Sequence, residues 1–87
     1  MALVFIRVEL RGNPSAEIYE RLHAHMEKRN WYRLKDGRPL PHAMYNGTTN
    51  NHIGTVCGAI RREIETSIWS SAIVFVVEPN SWAMDPP

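Results

Sequence analysis

Cysteine is nearly absent from this sequence. Cys57 is the one thiol in 87 residues, so no disulfide can form within the chain, and a reducing compartment is expected. No apolar run reaches the roughly 20 residues that a membrane helix requires. The stretch Ala2-Leu3-Val4-Phe5-Ile6 is too short for a signal-peptide core and lacks a preceding basic segment. A cytoplasmic protein without a membrane partner is the expectation. Neither sign of charge is in excess: 10 Lys and Arg against 9 Asp and Glu leave +1, which does not announce a nucleic-acid partner. No Cys-x-x-Cys, HExxH or carboxylate-rich loop is present, and the glycines make no phosphate-cradling loop. Neither a metal site nor a cofactor is therefore expected.

What is present suits one small globular domain over residues 1–87, with 79–87 as a C-terminal tail. At 44% hydrophobic and 22% charged residues, the chain is too apolar for intrinsic disorder. A domain this small buries only roughly 60–65% of its unfolded surface, so a homodimer is expected to supplement a thin core. The charges are unevenly placed. Lys28, Arg29, Arg33, Lys35 and Arg38 stand against Asp36 alone, whereas after Arg62 only Glu63, Glu65, Glu78 and Asp85 occur. A solvated surface is the plain account; a basic hairpin with a ligand is the other.

The elements follow from periodicity. Residues 3–11 alternate, with Val4, Ile6, Val8 and Leu10 on one side, as a half-buried strand does. Asn13 is the expected N-cap of a helix with Pro14 at its first position. To about Arg29, Ile18, Leu22, His25 and Met26 then share a face. Trp31 to Leu34 is a second strand, Asp36-Gly37 a tight turn, and Leu40 to Tyr45 the returning strand, irregular at Pro39 and Pro41. Residues 46–51 are expected to form a loop. A helix from about His52 to Ser67 carries Ile53, Val56, Cys57, Ile60 and Ile64 at helical spacing, and Gly54 and Gly58 suggest close packing. Ala72 to Val77 is a continuous apolar run suited to a strand covered on both sides. The fold expected is therefore α+β: a ferredoxin-like split βαβ (β-α-β-β-α-β), with an antiparallel four-stranded sheet and two helices on one face. Leu3, Phe5, Arg7 and Glu9 would lie on the open face, which suggests a dimer interface.

Chemistry-bearing residues are sparse. His23 and His25 lie two apart on a helix and point about 200° from each other, so they cannot share a metal unaided. His25, on the apolar face, reads as a satisfied core histidine. Cys57 reads as a small buried hydrophobe. Arg7, Glu9 and Arg11 with Arg21 could grip a phosphate; an ordinary ion network between Arg7 and Glu9 is the alternative. The basic hairpin joins charge to the aromatic rings of Trp31 and Tyr32, as single-stranded RNA binders do.

The segment Arg7-Val8-Glu9-Leu10-Arg11-Gly12, then Tyr19-Glu20-Arg21-Leu22-His23-Ala24-His25-Met26 and Trp31, resembles the GhoS-type group of small proteins, which includes an endoribonuclease antitoxin. So do Asp36-Gly37, Leu40-Pro41 and Ala43-Met44-Tyr45. The likeness runs over about residues 4–49; beyond it the second helix and last strand agree in type only. It implies a ferredoxin-like fold and cleavage of RNA by arginines of the first helix. Arg21 matches one of these, and the other position holds His23. Histidine can act as acid or base in metal-independent RNA cleavage, whereas a lost arginine removes charge stabilisation. The ferredoxin-like nucleases of CRISPR systems carry an aspartate at the end of the first strand, where Glu9 is the nearest residue here. The expectation is an antitoxin-like RNA-binding protein and metal-independent endoribonuclease. Arg21 and His23 would be catalytic, with Arg7, Arg11, Arg33, Lys35 and Arg38 on single-stranded RNA. A non-catalytic homodimeric adaptor is the alternative.

Overall fold

A computed structural model describes residues 2–33, 43–78 and 81–85. They form β1 (Ala2–Leu10), α1 (Ala16–Lys28), β2 (Tyr32–Arg33), β3 (Ala43–Thr49), α2 (Ile53–Ser67), β4 (Ala72–Glu78) and β5 (Ser81–Asp85). The first six give the β-α-β-β-α-β order of an α+β, ferredoxin-like domain. The strands lie in one antiparallel sheet of order β2-β3-β1-β4-β5. The four expected strands are present, and β5, where a docked tail was expected, extends the sheet beyond β4. Val76 pairs with Ala83 and Val74 with Asp85, so the backbone groups of β4 do not form an open edge.

The alternation of β1 decides which side the helices cover. Val4, Ile6, Val8 and Leu10 are buried, while Leu3, Phe5 and Arg7 are exposed. Onto the buried face come Leu22 and Met26 from α1, Tyr45 from β3, and Ala72, Val74 and Val76 from β4. Helix α2 contributes Ile53, Val56, Cys57, Ile60 and Ile64, the stripe its spacing predicted. All of these belong to one core cluster, so both helices cover the same face.

Several local expectations change. Strand β4 is not covered on both sides within one chain: Ala72, Val74 and Val76 are buried, but Ile73, Phe75 and Val77 are half-buried on the other face. Strand β3 continues through Asn46, Gly47, Thr48 and Thr49, where a loop was expected, because those residues pair with β1 from Phe5 back to Ala2. Gly47 faces the Trp31 ring so closely that a Cβ there would overlap it, and would lie 2.8 Å from the Asn30 carbonyl oxygen. Gly58 makes no such close approach; a Cβ there would meet Asp85 Oδ2 at 3.8 Å, an ordinary contact.

Helix α1 starts later than Asn13 suggested. Gly12 and Asn13 both take positive φ, 84° and 62°, and the N-cap is Ser15, whose carbonyl accepts from the Ile18 and Tyr19 amides. Glycine and asparagine tolerate that left-handed backbone best, so the pair turns the chain rather than capping it. Asn30 takes φ 64° just past the C-cap Arg29. Its amide bonds the Glu27 carbonyl at 2.9 Å, and the Trp31 amide bonds the Met26 carbonyl at 2.9 Å. This paired closure of the helix end is a Schellman motif, and it delivers Trp31 onto Gly47. Helix α2 is capped by His52, whose Nδ1 accepts from the Gly54 amide at 3.0 Å.

Candidate functional site

Two residues apart on α1, Arg21 and His23 point about 200° from each other, and their partners reflect this. Arg21 Nη2 donates to the Ser67 carbonyl at 2.9 Å. Ser67 ends α2, a helix with no basic residue of its own in its last turn. The guanidinium thus supplies a cation at the negative end of the α2 dipole. On the other side of α1, His23 Nδ1 lies 2.7 Å from the Tyr45 hydroxyl. The two expected catalytic residues are not brought together.

His23 instead meets β2. A cavity of about 410 Å³ is lined by His23, Glu27, Trp31, Tyr32 and Arg33. Helical spacing sets Glu20, His23 and Glu27 along one side of α1, and the closed end of α1 sets Trp31 and the short strand β2 beside them. Arg33 pairs with Tyr45 across the β2–β3 ladder, and Tyr32 pairs with Asn46. Tyr32 is 51% exposed, its hydroxyl donating to Asn30 Oδ1 at 3.2 Å. With Nδ1 engaged by Tyr45, His23 has Nε2 left for the cavity. Burial holds its pKa below the ordinary 6.5, the Arg33 charge adds to that, and Glu20 opposes it. Burial also raises the Tyr45 phenol, so it stays protonated. A neutral imidazole, a guanidinium and a half-exposed aromatic ring therefore share one opening. Such a set can hold a phosphate, stack a base and accept a proton.

The other candidates lie elsewhere. Arg7 is exposed on the sheet face away from the helices and cannot share the cavity with His23. Arg11 is exposed just after β1, where its amide bonds the Ser71 carbonyl and its carbonyl accepts from Trp69 Nε1. Lys35, Arg38 and the Asp36-Gly37 turn lie outside the described residues, so Arg33 is the one member of the basic hairpin placed at the cavity. His25, expected in the core, is half-buried instead: Nε2 lies 3.1 Å from Glu63 Oε1, which also lies 2.9 Å from Arg29 Nε. Both contacts are close in distance without hydrogen-bond alignment at that oxygen. Among the described residues no group of three His, Cys, Asp or Glu side chains could hold a metal ion, and no helix is long and apolar enough to cross a membrane. Burial pushes the Cys57 thiol up to about 11.

Sequence reasoning gave no role to Tyr45 or Glu27. The alternation of Ala43, Tyr45 and Gly47 along one strand could have marked Tyr45 as inward-facing, and the i,i+4 spacing from His23 could have marked Glu27. Comparison with known proteins gives no match to any family model, curated protein or solved structure. Nothing among them identifies the GhoS-type family.

Proposed function

We propose that the chain is an antitoxin-like RNA-binding protein that takes single-stranded RNA between α1 and β2 and cleaves it slowly without a metal ion. The observation that carries this reading is the cavity shared by His23, Arg33 and Tyr32. Arg33 would hold a phosphate and Tyr32 would stack a base, the pairing of charge and ring that single-stranded RNA uses. His23, neutral near pH 7, would take the proton of a ribose 2′-OH. The freed oxygen would attack the adjacent phosphorus, forming a 2′,3′-cyclic phosphate and releasing a 5′-oxygen that takes up a proton. Glu27 beside the opening works against phosphate, which fits weak and slow action. Arg21, held on α2, serves as a helix anchor in this scheme.

The test is incubation of mixed transcripts with the protein and with His23→Ala, Arg33→Ala and Arg21→Ala, each with and without EDTA. Cleavage should survive EDTA, vanish in His23→Ala and persist in Arg21→Ala. Arg33→Ala should weaken binding and reduce its salt dependence. Cleavage unchanged in His23→Ala would remove the catalytic assignment, and absence of salt-sensitive RNA binding would remove the RNA reading. The half-exposed Leu3 and Phe5 favour a second reading, a non-catalytic homodimeric adaptor. RNA-independent self-association would then be its sole activity in these assays.

A further inference from the structure

On the sheet face away from the helices, β1 carries Leu3 and Phe5 towards its start and Arg7 and Glu9 further along. Leu3 is 47% and Phe5 39% exposed. Across the ladder, Arg7 pairs with Phe75 and Glu9 with Ile73, while Met44 flanks Arg7 on the β3 side. Arg7, Glu9, Ile73 and Phe75 line a depression of about 270 Å³. Arg7 and Glu9 point from the same face about 7 Å apart along the strand. They do not pair with each other, and among the described residues neither joins a salt bridge. Their described ladder neighbours, Met44, Phe75 and Ile73, are apolar, so two opposite charges stand in an apolar setting. Such a surface favours a partner that brings both signs at the same spacing.

We propose that this partner is a second copy of the chain, packed face to face about a two-fold axis at the level of Val8. That operation exchanges positions 7 and 9. Arg7 then meets the partner's Glu9, and Glu9 meets the partner's Arg7, as an isologous interface requires. The same axis lays Phe75 over the partner's Ile73, because these are the ladder neighbours of the two charges. Two sheets stacked in this way lie about 10 Å apart with side chains interdigitating, which fills the depression on each copy. The half-buried side of β4 thereby becomes a covered one, consistent with its unbroken apolar sequence. The dimer uses the face opposite the His23 cavity, so it stands or falls separately from the RNA reading.

Charge swaps test the pairing, with mass followed by sedimentation or light scattering from micromolar to near-millimolar protein and folding followed by circular dichroism. The wild-type chain should dimerise. Arg7→Glu alone and Glu9→Arg alone each set like charges against each other and should weaken the dimer by on the order of tenfold or more. The double variant Arg7→Glu/Glu9→Arg restores the reciprocal match and should regain the dimer. Glu9→Gln, which adds no repulsion, provides a milder loss should a swap disturb folding. A wild-type chain monomeric over the whole range overturns the proposal. So does a dimer insensitive to the single swaps, or one that the double swap fails to restore.

Discussion

The Tyr45 hydroxyl and His23 Nδ1, 2.7 Å apart, tie the inner face of β3 to the middle of α1. Tyr45 is fully buried, so its hydroxyl depends on that imidazole for the partner that burial demands. The bond also settles which nitrogen of His23 remains for the cavity. Stability and the proposed chemistry therefore converge on one side chain.

Stability should respond to acid through His23. Its folded-state pKa is depressed, first by burial and then by Arg33, so the unfolded chain takes up the proton first. The contribution is complete above the ordinary value of 6.5 and is lost as pH falls from there through the folded value. Urea denaturation at pH 7.5 and pH 5 should show a larger loss in the wild-type chain than in His23→Gln. The remaining histidines give both proteins a common background. Equal pH dependence in the two would refute the assignment.

Gly47→Ala should be destabilising although the residue lies in a strand, where alanine is ordinarily at least as good. The new methyl would overlap the Trp31 ring and approach the Asn30 carbonyl oxygen, and that carbonyl is backbone held by the closed end of α1. Overpacking of this kind costs about 1–3 kcal/mol. Because Trp31 lines the cavity, RNA affinity should fall along with the denaturation midpoint. A neutral effect on both would mean that Trp31 moves aside freely.

Much of the fold was legible because it rests on local periodicity. The alternation in β1 and the stripe Ile53, Val56, Cys57, Ile60 and Ile64 each decided a buried face, and both are found. Turn chemistry was less decisive. Asn13 reads as a cap and residues 46–51 as a loop, yet Asn13 serves the left-handed backbone and Gly47 lies in β3, where it serves the approach of Trp31. The second outcome follows from a tertiary contact that sequence spacing does not encode. The site divides in the same way. Helix geometry already separates Arg21 from His23 by about 200°, so their divergence was readable, though not the elements they meet. The meeting of His23 with Tyr45 and Arg33 depends on how β2 and β3 register, which the sequence does not display.

The last strand makes a prediction about Cys57. The thiol is buried, donates to the Val74 carbonyl at 3.2 Å, and is pushed up to about 11, mainly by burial and then by the Asp85 charge. Asp85 closes β5 and pairs with Arg61 Nη1 at 3.1 Å, so β5 is fastened both to β4 and to α2. A partly exposed pair of this sort contributes no more than about 1 kcal/mol, whereas the ladder satisfies a whole row of β4 backbone groups. Asp85→Asn should therefore leave the thiol nearly as unreactive towards an aromatic disulfide reagent as the wild type. A chain ending at Glu78 should react much faster and aggregate through the exposed edge of β4. If the truncated chain stays soluble with its thiol protected, β5 is an ornament of the sheet; if Asp85→Asn alone unmasks the thiol, the ion pair rather than the ladder holds the strand.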